Sequence, residues 1–130
     1  MPAVAQVRVT SAFMQSLSRA QASTIASLVA MIADVTVPVP AREAACGTLQ
    51  NLASEDNAEN QAAIREAGGL RALAVLIGNG EQTVAMAAAQ KAAVEALHNL
   101  RTDATNAAAL ETLAQTYPGY DSSLLYYFVE

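Results

Sequence analysis

Tryptophan is absent from this chain, and cysteine occurs once, at Cys46. A lone thiol excludes an internal disulfide and any cysteine-based metal cluster. It fits a reducing compartment, so an intracellular, cytoplasmic protein is expected. Positive charge is scarce as well: seven Lys and Arg against twelve Asp and Glu give a net charge of -5. That balance argues against nucleic acid, which needs a basic face to displace counterions, and against anionic membrane surfaces. It leaves room for a basic peptide or protein partner. There is no long hydrophobic run. The longest largely apolar stretch, Ile25 to Ala33, is stopped by Asp34 and then by Pro38 and Pro40, so it is too short to span a bilayer. Acidic residues are missing from residues 1–33, which carry Arg8, Arg19 and several serines. Organelle transit peptides share that bias, and so does a plain basic helix in an acidic protein. Strand formers are few and scattered, while alanine and leucine abound, so the chain is expected to be all-α.

The 130 residues suit one domain with a modest core. Val9, Phe13 and Leu17 share a helical face, and Ile25, Leu28, Met31 and Ile32 form a stripe at helical spacing. Residues 35–40 break the pattern, and Pro40 suits the first turn of the next helix. Residues 41–53 then turn Ala45, Leu49 and Leu52 inward. Asp56 with Glu59 is close to a capping box. Ala63, Ile64 and Ala67 carry a short helix, and Gly68 suits the left-handed stop that ends many helices. Leu70, Leu73, Leu76 and Ile77 make a further stripe, closed by Gly78-Asn79-Gly80. A long helix is expected over residues 81–100. Asp103 caps the next, which carries Ala107, Leu110 and Leu113 and ends at Tyr117-Pro118-Gly119. A last short helix is expected within 122–129.

The blocks recur. AACGTLQNL (44–52) aligns with AAVEALHNL (92–100), an offset of 100 minus 52, or 48. NQAAIREA (60–67) aligns with NAAALETL (106–113) at an offset of 46, and the stripe from Ile25 aligns with that from Leu70 at an offset of 45. Three blocks in the same order at nearly one spacing mark a repeat, and the longer first offset implies about three extra residues near 84–89.

A period in the mid-forties with three helices per unit is the range of helical solenoids. NAENQAAIREAGGLRALAVLIGNG followed by AAVEALHNL resembles an armadillo repeat: a short first helix, a glycine-containing bend, a second helix, and a long third helix ending in Asn-Leu. The resemblance covers most of residues 40–114. It implies a right-handed superhelical solenoid of about two and a half units. The units would be a partial or divergent N-terminal repeat over 8–54, a central repeat over 56–101, and a partial C-terminal repeat with cap over 103–130, all in one domain. Arg71 stands where the family often has proline.

In peptide-binding members of that family the third helices line a concave groove, and an asparagine late in each holds the backbone of an extended ligand. A carboxamide offers both a donor and an acceptor for that purpose. Asn51 and Asn99 match the position. Late-helix asparagines also bond a nearby carbonyl or begin a turn, and that reading stands beside the first. Members that bind nuclear-import signals add a tryptophan four residues earlier, where this chain has Gly47 and Glu95, so importin-type recognition is not expected. Glu95 reads as a solvated charge or an attractor of a basic ligand. Lys91 and Arg42, read as equivalent repeat positions, would face an acidic partner or water.

Catalysis is not expected. Cys46 aligns with Ala93 or Val94, a packing slot, and His98 with Gln50, a polar flank, with no acidic residue placed to orient the imidazole. No zinc-ligand spacing is recognisable, and Gly78-Asn79-Gly80 lacks the Walker pattern. No cofactor is expected either. Tyr117, Tyr120, Tyr126, Tyr127 and Phe128 crowd the last fourteen residues, where they would cap the apolar end of the stack or present a docking surface. The expected function is a non-catalytic module or scaffold that binds another protein or peptide. Short arrays expose apolar ends, so good caps, membership of a longer chain, or a homodimer through the solenoid ends would be the remedy. The Met1 start and the aromatic tail favour a small chain with its own caps. The alternative is a homo-oligomeric structural protein whose main partner is itself.

Overall fold

A computed structural model describes residues 21–54, 57–81 and 83–116, and among them every regular element is a helix. The elements are α1 (residues 21–33), α2 (Val39–Leu52), α3 (Ala58–Glu66), α4 (Gly69–Ile77), α5 (Val84–Leu100) and α6 (Ala104–Thr116). None of these helices is long and apolar enough to cross a membrane. The stripe of Val9, Phe13 and Leu17, the aromatic cluster from Tyr117 onward and the short helix expected within 122–129 lie outside the described residues.

Local sequence accounts for several of the helix boundaries. α1 stops at Asp34, whose carboxylate accepts from the Thr36 hydroxyl at 2.6 Å and the Thr36 N–H at 2.9 Å. Those bonds hold the Asp34 carboxyl below the usual carboxylate range. α2 starts after Pro38, with Pro40 in its first turn where a missing N–H costs little. The cap of α3 is Asn57, whose side chain accepts from the Asn60 N–H at 3.1 Å. This corrects the expected Asp56–Glu59 box by one residue. α5 begins at Val84, three residues later than Glu81, because the Thr83 side chain caps it by accepting from the Met86 N–H at 3.0 Å. Asp103 caps α6 by accepting from the Asn106 N–H at 3.0 Å.

The apolar stripes converge on one core. Ile25, Ile32, Leu49, Ile64, Leu73, Leu76, Leu97 and Leu100 are fully buried within it, while Leu28, Met31, Leu52 and Ile77 pack against its edge. Ala67, expected inward, is exposed because it is the C-cap of α3. α4 buries six of its nine residues, Gly69, Leu70, Ala72, Leu73, Ala74 and Leu76, and packs against α3, α5 and α6.

Among α2 to α6 the most extensive helix pair is α2 with α5. Their C-terminal ends lie together: Asn99 Nδ2 donates to the Gln50 carbonyl at 2.9 Å, and Gln61 Nε2 reaches both Ala53 O at 3.1 Å and Asn99 O at 3.3 Å. The two helices therefore run side by side in the same direction, as equivalent elements of a repeat would. α5 has 17 residues and α2 has 14. The difference of three matches the longer sequence offset, and with the C-terminal ends aligned the surplus falls in the first turn of α5.

Hydrogen bonds repeat along with the helices. Asn60 Nδ2 donates to Leu52 O at 2.9 Å, and Asn106 Nδ2 to Leu100 O at 3.1 Å. Arg42 donates from Nε and Nη2 to Ile32 O at 3.0 and 2.8 Å, and Gln90 Nε2 donates to Ile77 O at 3.1 Å. In each pair the donors are 46 or 48 residues apart and the acceptors 48 or 45. A side chain on the next helix thus satisfies carbonyls that a helix terminus leaves unbonded.

The adjacent glycines between α3 and α4 have separate roles. Gly68 has φ of +85° and is the left-handed residue that ends one helix and caps the next. Gly69 is already helical and buried. A Cβ there would strike Ile64 Cγ2 and lie 2.8 Å from the Ile64 carbonyl oxygen, so its absence lets α3 and α4 cross closely. Gly47, by contrast, sits inside α2, and nothing stands within 4 Å of the place its Cβ would occupy. Urea denaturation should separate the three. Gly68→Ala should lose about 1 kcal/mol from the left-handed backbone, and Gly69→Ala about 1–3 kcal/mol from overpacking. Gly47→Ala should gain about 0.5–1 kcal/mol in helix propensity.

Candidate partner-binding face

α2 and α5 present parallel rows of outward residues. On α2 the row is Gly47 and Asn51, one helical turn apart. On α5 it is Lys91, Glu95 and Asn99, each four residues from the last, so that side chains share a face. Asn51, Lys91 and Glu95 are exposed, and Gly47 and Asn99 are half-buried. Because the two helices are in register at an offset of 48, Gly47 lies opposite Glu95 and Asn51 opposite Asn99. With no side chain at Gly47, the α2 side of the face carries a notch.

The two asparagines differ. Asn99 spends a carboxamide proton on the Gln50 carbonyl of the neighbouring helix, so it ties α5 to α2. Asn51 keeps an exposed carboxamide.

Arg42 does not belong to this face, contrary to the sequence reading. It is 5 % exposed, and its guanidinium forks onto the last carbonyl of the α1 stripe, Ile32 O. Its structural counterpart is Gln90, which donates to the carbonyls of Leu76, Ile77 and Asn79 at the end of α4. Lys91, one residue further on, points to solvent. An offset taken one residue too long paired Lys91 with Arg42.

Behind the face runs a polar network that sequence reasoning missed. Gln61 Nε2 lies within bonding distance of Ala53 O, Ser54 O, Asn99 O and Thr102 Oγ1, four acceptors sharing two protons. Asn106 Nδ2 donates to Gln61 O at 3.3 Å, while Arg65 Nη1 donates to Asn106 Oδ1 at 2.7 Å and lies 3.6 Å from Asp103 Oδ1. The sequence signal was present in the asparagine that heads both aligned blocks, Asn60 and Asn106.

Cys46 is fully buried and His98 is exposed, so the two do not form an accessible nucleophile and base. Burial pushes the Cys46 thiol up to about 12, an effect the Arg42 charge partly opposes, and the protonated thiol is a poor nucleophile. Among the described residues no three His, Cys, Asp or Glu side chains are grouped to hold a metal ion. An open groove of about 540 Å³ lies elsewhere, between α1 and the α3–α4 bend, lined by Ala26, Val29, Ala30, Ala72 and Val75 among others. No family model, curated protein or solved structure matches the chain.

The raised thiol has a pH consequence with a definite sign. Below its ordinary value, near 8.5, Cys46 is protonated in both folded and unfolded chains. Above that value the unfolded chain loses the proton first, so stability falls as pH rises towards the folded value of about 12, by up to about 1.4 kcal/mol per pH unit. Urea midpoints measured from neutral to alkaline pH should fall more steeply for the natural chain than for Cys46→Ala.

Proposed function

We propose that this chain is a short armadillo-like solenoid and a non-catalytic interaction module, whose α2–α5 face binds an extended segment or helix of another protein. One observation carries this reading: α2 and α5, which align in sequence at an offset of 48, lie side by side, in register and in the same direction. Repeat stacking brings equivalent helices together in that way, whereas an up-and-down bundle makes sequential neighbours antiparallel. The duplicated side-chain-to-carbonyl bonds and the glycine bend support it further. Recognition would use shape at the Gly47 notch, the Asn51 carboxamide, and the charges of Lys91 and Glu95.

The test is selection of binding peptides from a random library displayed on phage, followed by titration of the winners against variants. Asn51→Ala should weaken binding roughly fivefold, the effect of losing a hydrogen bond of about 1 kcal/mol, and Glu95→Lys should change which peptide charges are preferred. Both should leave the urea midpoint in place. Arg42→Met should do the opposite, lowering the midpoint while leaving the affinity of the folded chain unchanged. Peptides whose binding ignores Asn51 and Glu95 would remove the face from consideration. If sedimentation instead gives a dimer that Glu95→Lys dissociates, the face belongs to a second copy of the chain.

A further inference from the structure

The loop between α4 and α5 holds chemistry that the binding face does not use. Asn79 is the one asparagine in the chain that glycine follows; the others precede Leu52, Ala58, Gln61, Leu100 and Ala107. Asn51, Asn60, Asn99 and Asn106 lie within helices, and Asn57 is the cap of α3. Asn79 and Gly80 are outside any helix and exposed, and nothing stands within 4 Å of the place a Cβ would occupy at Gly80. The Glu81 N–H donates to Asn79 Oδ1 at 2.7 Å. The Asn79 carbonyl oxygen, meanwhile, accepts from Gln90 Nε2 at 2.7 Å, the shortest of the three bonds by which Gln90 holds the end of α4.

We propose that Asn79 is a site of spontaneous deamidation, and that its conversion releases the α4–α5 junction. The Gly80 backbone nitrogen gives up its proton to solvent base and attacks Asn79 Cγ. A new C–N bond forms, the carbonyl electrons move onto Oδ1, and they return as the side-chain nitrogen leaves, protonated, as ammonia. The product is a five-membered succinimide. One water then adds to either of its carbonyls and opens the ring to aspartate or to isoaspartate. One water is consumed and one ammonia released, with no change of oxidation state. The fold favours the first step in two ways. Glycine leaves the attacking nitrogen unshielded, and the Glu81 N–H already sits on the oxygen that becomes negative in the tetrahedral intermediate, as an oxyanion donor does. The isoaspartyl product carries one more carbon in the main chain. That displaces the Asn79 carbonyl from Gln90 and places a new negative charge two residues from Glu81.

The test is incubation of the full chain at neutral pH and physiological temperature in heavy-oxygen water, with peptide mapping by mass spectrometry. Heavy oxygen should enter the peptide containing residues 79–80, as both aspartate and isoaspartate, while peptides carrying the other asparagines stay unlabelled. Gly80→Ala, which the open space accommodates, should slow conversion roughly tenfold by shielding the nitrogen and restricting the backbone. The converted protein should also exchange amide protons faster at the end of α4. Intact Asn79 in the native chain, whether or not the urea-unfolded chain converts, overturns the proposal. So does label spread over several asparagines. Conversion at Asn79 without faster exchange in α4 would refute the release of the junction.

Discussion

Packing α2 against α5 in the same direction imposes an electrostatic demand that shapes the surrounding sequence. Alanines make the approach possible: Ala45, Cys46 and Leu49 on one helix and Ala89, Ala93, Ala96 and Leu97 on the other are fully or almost fully buried. Parallel helices, however, place their C-terminal carbonyls side by side, and each terminus carries partial negative charge and unbonded acceptors. Left alone, Leu52 O, Ala53 O, Asn99 O and Leu100 O would crowd together partly out of water. Amide donors meet them instead. Asn60 takes Leu52 O, Asn106 takes Leu100 O, and Gln61 sits between the two ends. Primary amides suit this position because each supplies two protons without introducing a buried charge.

The other helix ends follow the same logic with different residues. α1 and α4 both end against the helix that follows, and the acceptor there is met by Arg42 in one case and Gln90 in the other. Arg42 brings a charge into a nearly buried place, yet its guanidinium meets the carbonyl end of α1, a favourable site for a cation. Among the described residues no buried side-chain polar atom lacks a hydrogen-bond partner. α1 and α2, α2 and α3, α4 and α5, and α5 and α6 are therefore held together by directional bonds as well as by apolar contact, and the register between α2 and α5 is set at both levels.

Period and punctuation made most of this legible in the sequence. Leu70, Leu73 and Leu76 read as one inward stripe because nothing but a helix puts them on one side, and Gly68 read as a left-handed stop because a glycine directly follows the short helix of Ala63, Ile64 and Ala67. The surplus of three residues in α5 was visible as an offset. What was not legible depends on partners that only the folded chain supplies. A charged Arg42 beside Glu43 looks like solvated surface, and its burial follows from a tight turn that returns the Ile32 carbonyl to it. Asn51 and Asn99 sit in near-identical local sequence, Gln-Asn-Leu and His-Asn-Leu. They differ because Asn99 has a helix on the side towards which its carboxamide donates.

That difference bears on how the proposed face would work. A ladder of equivalent asparagines suggests evenly spaced contacts to an extended chain, yet one rung here is already engaged. Asn99 has committed a proton to Gln50 O and is half-buried, while Asn51 offers its donors and acceptor to solvent. The flanking positions are unequal in the same sense, with Gly47 open beside Asn51 and Glu95 standing beside Asn99. Under the proposed reading an occupant lies nearer α2, its main chain against the Gly47 notch where no Cβ intervenes, and takes its charge preference from Glu95 and Lys91 across the way. The face is then directional although the repeat that builds it is not, because stacking uses up in each unit the contact that the preceding unit leaves free.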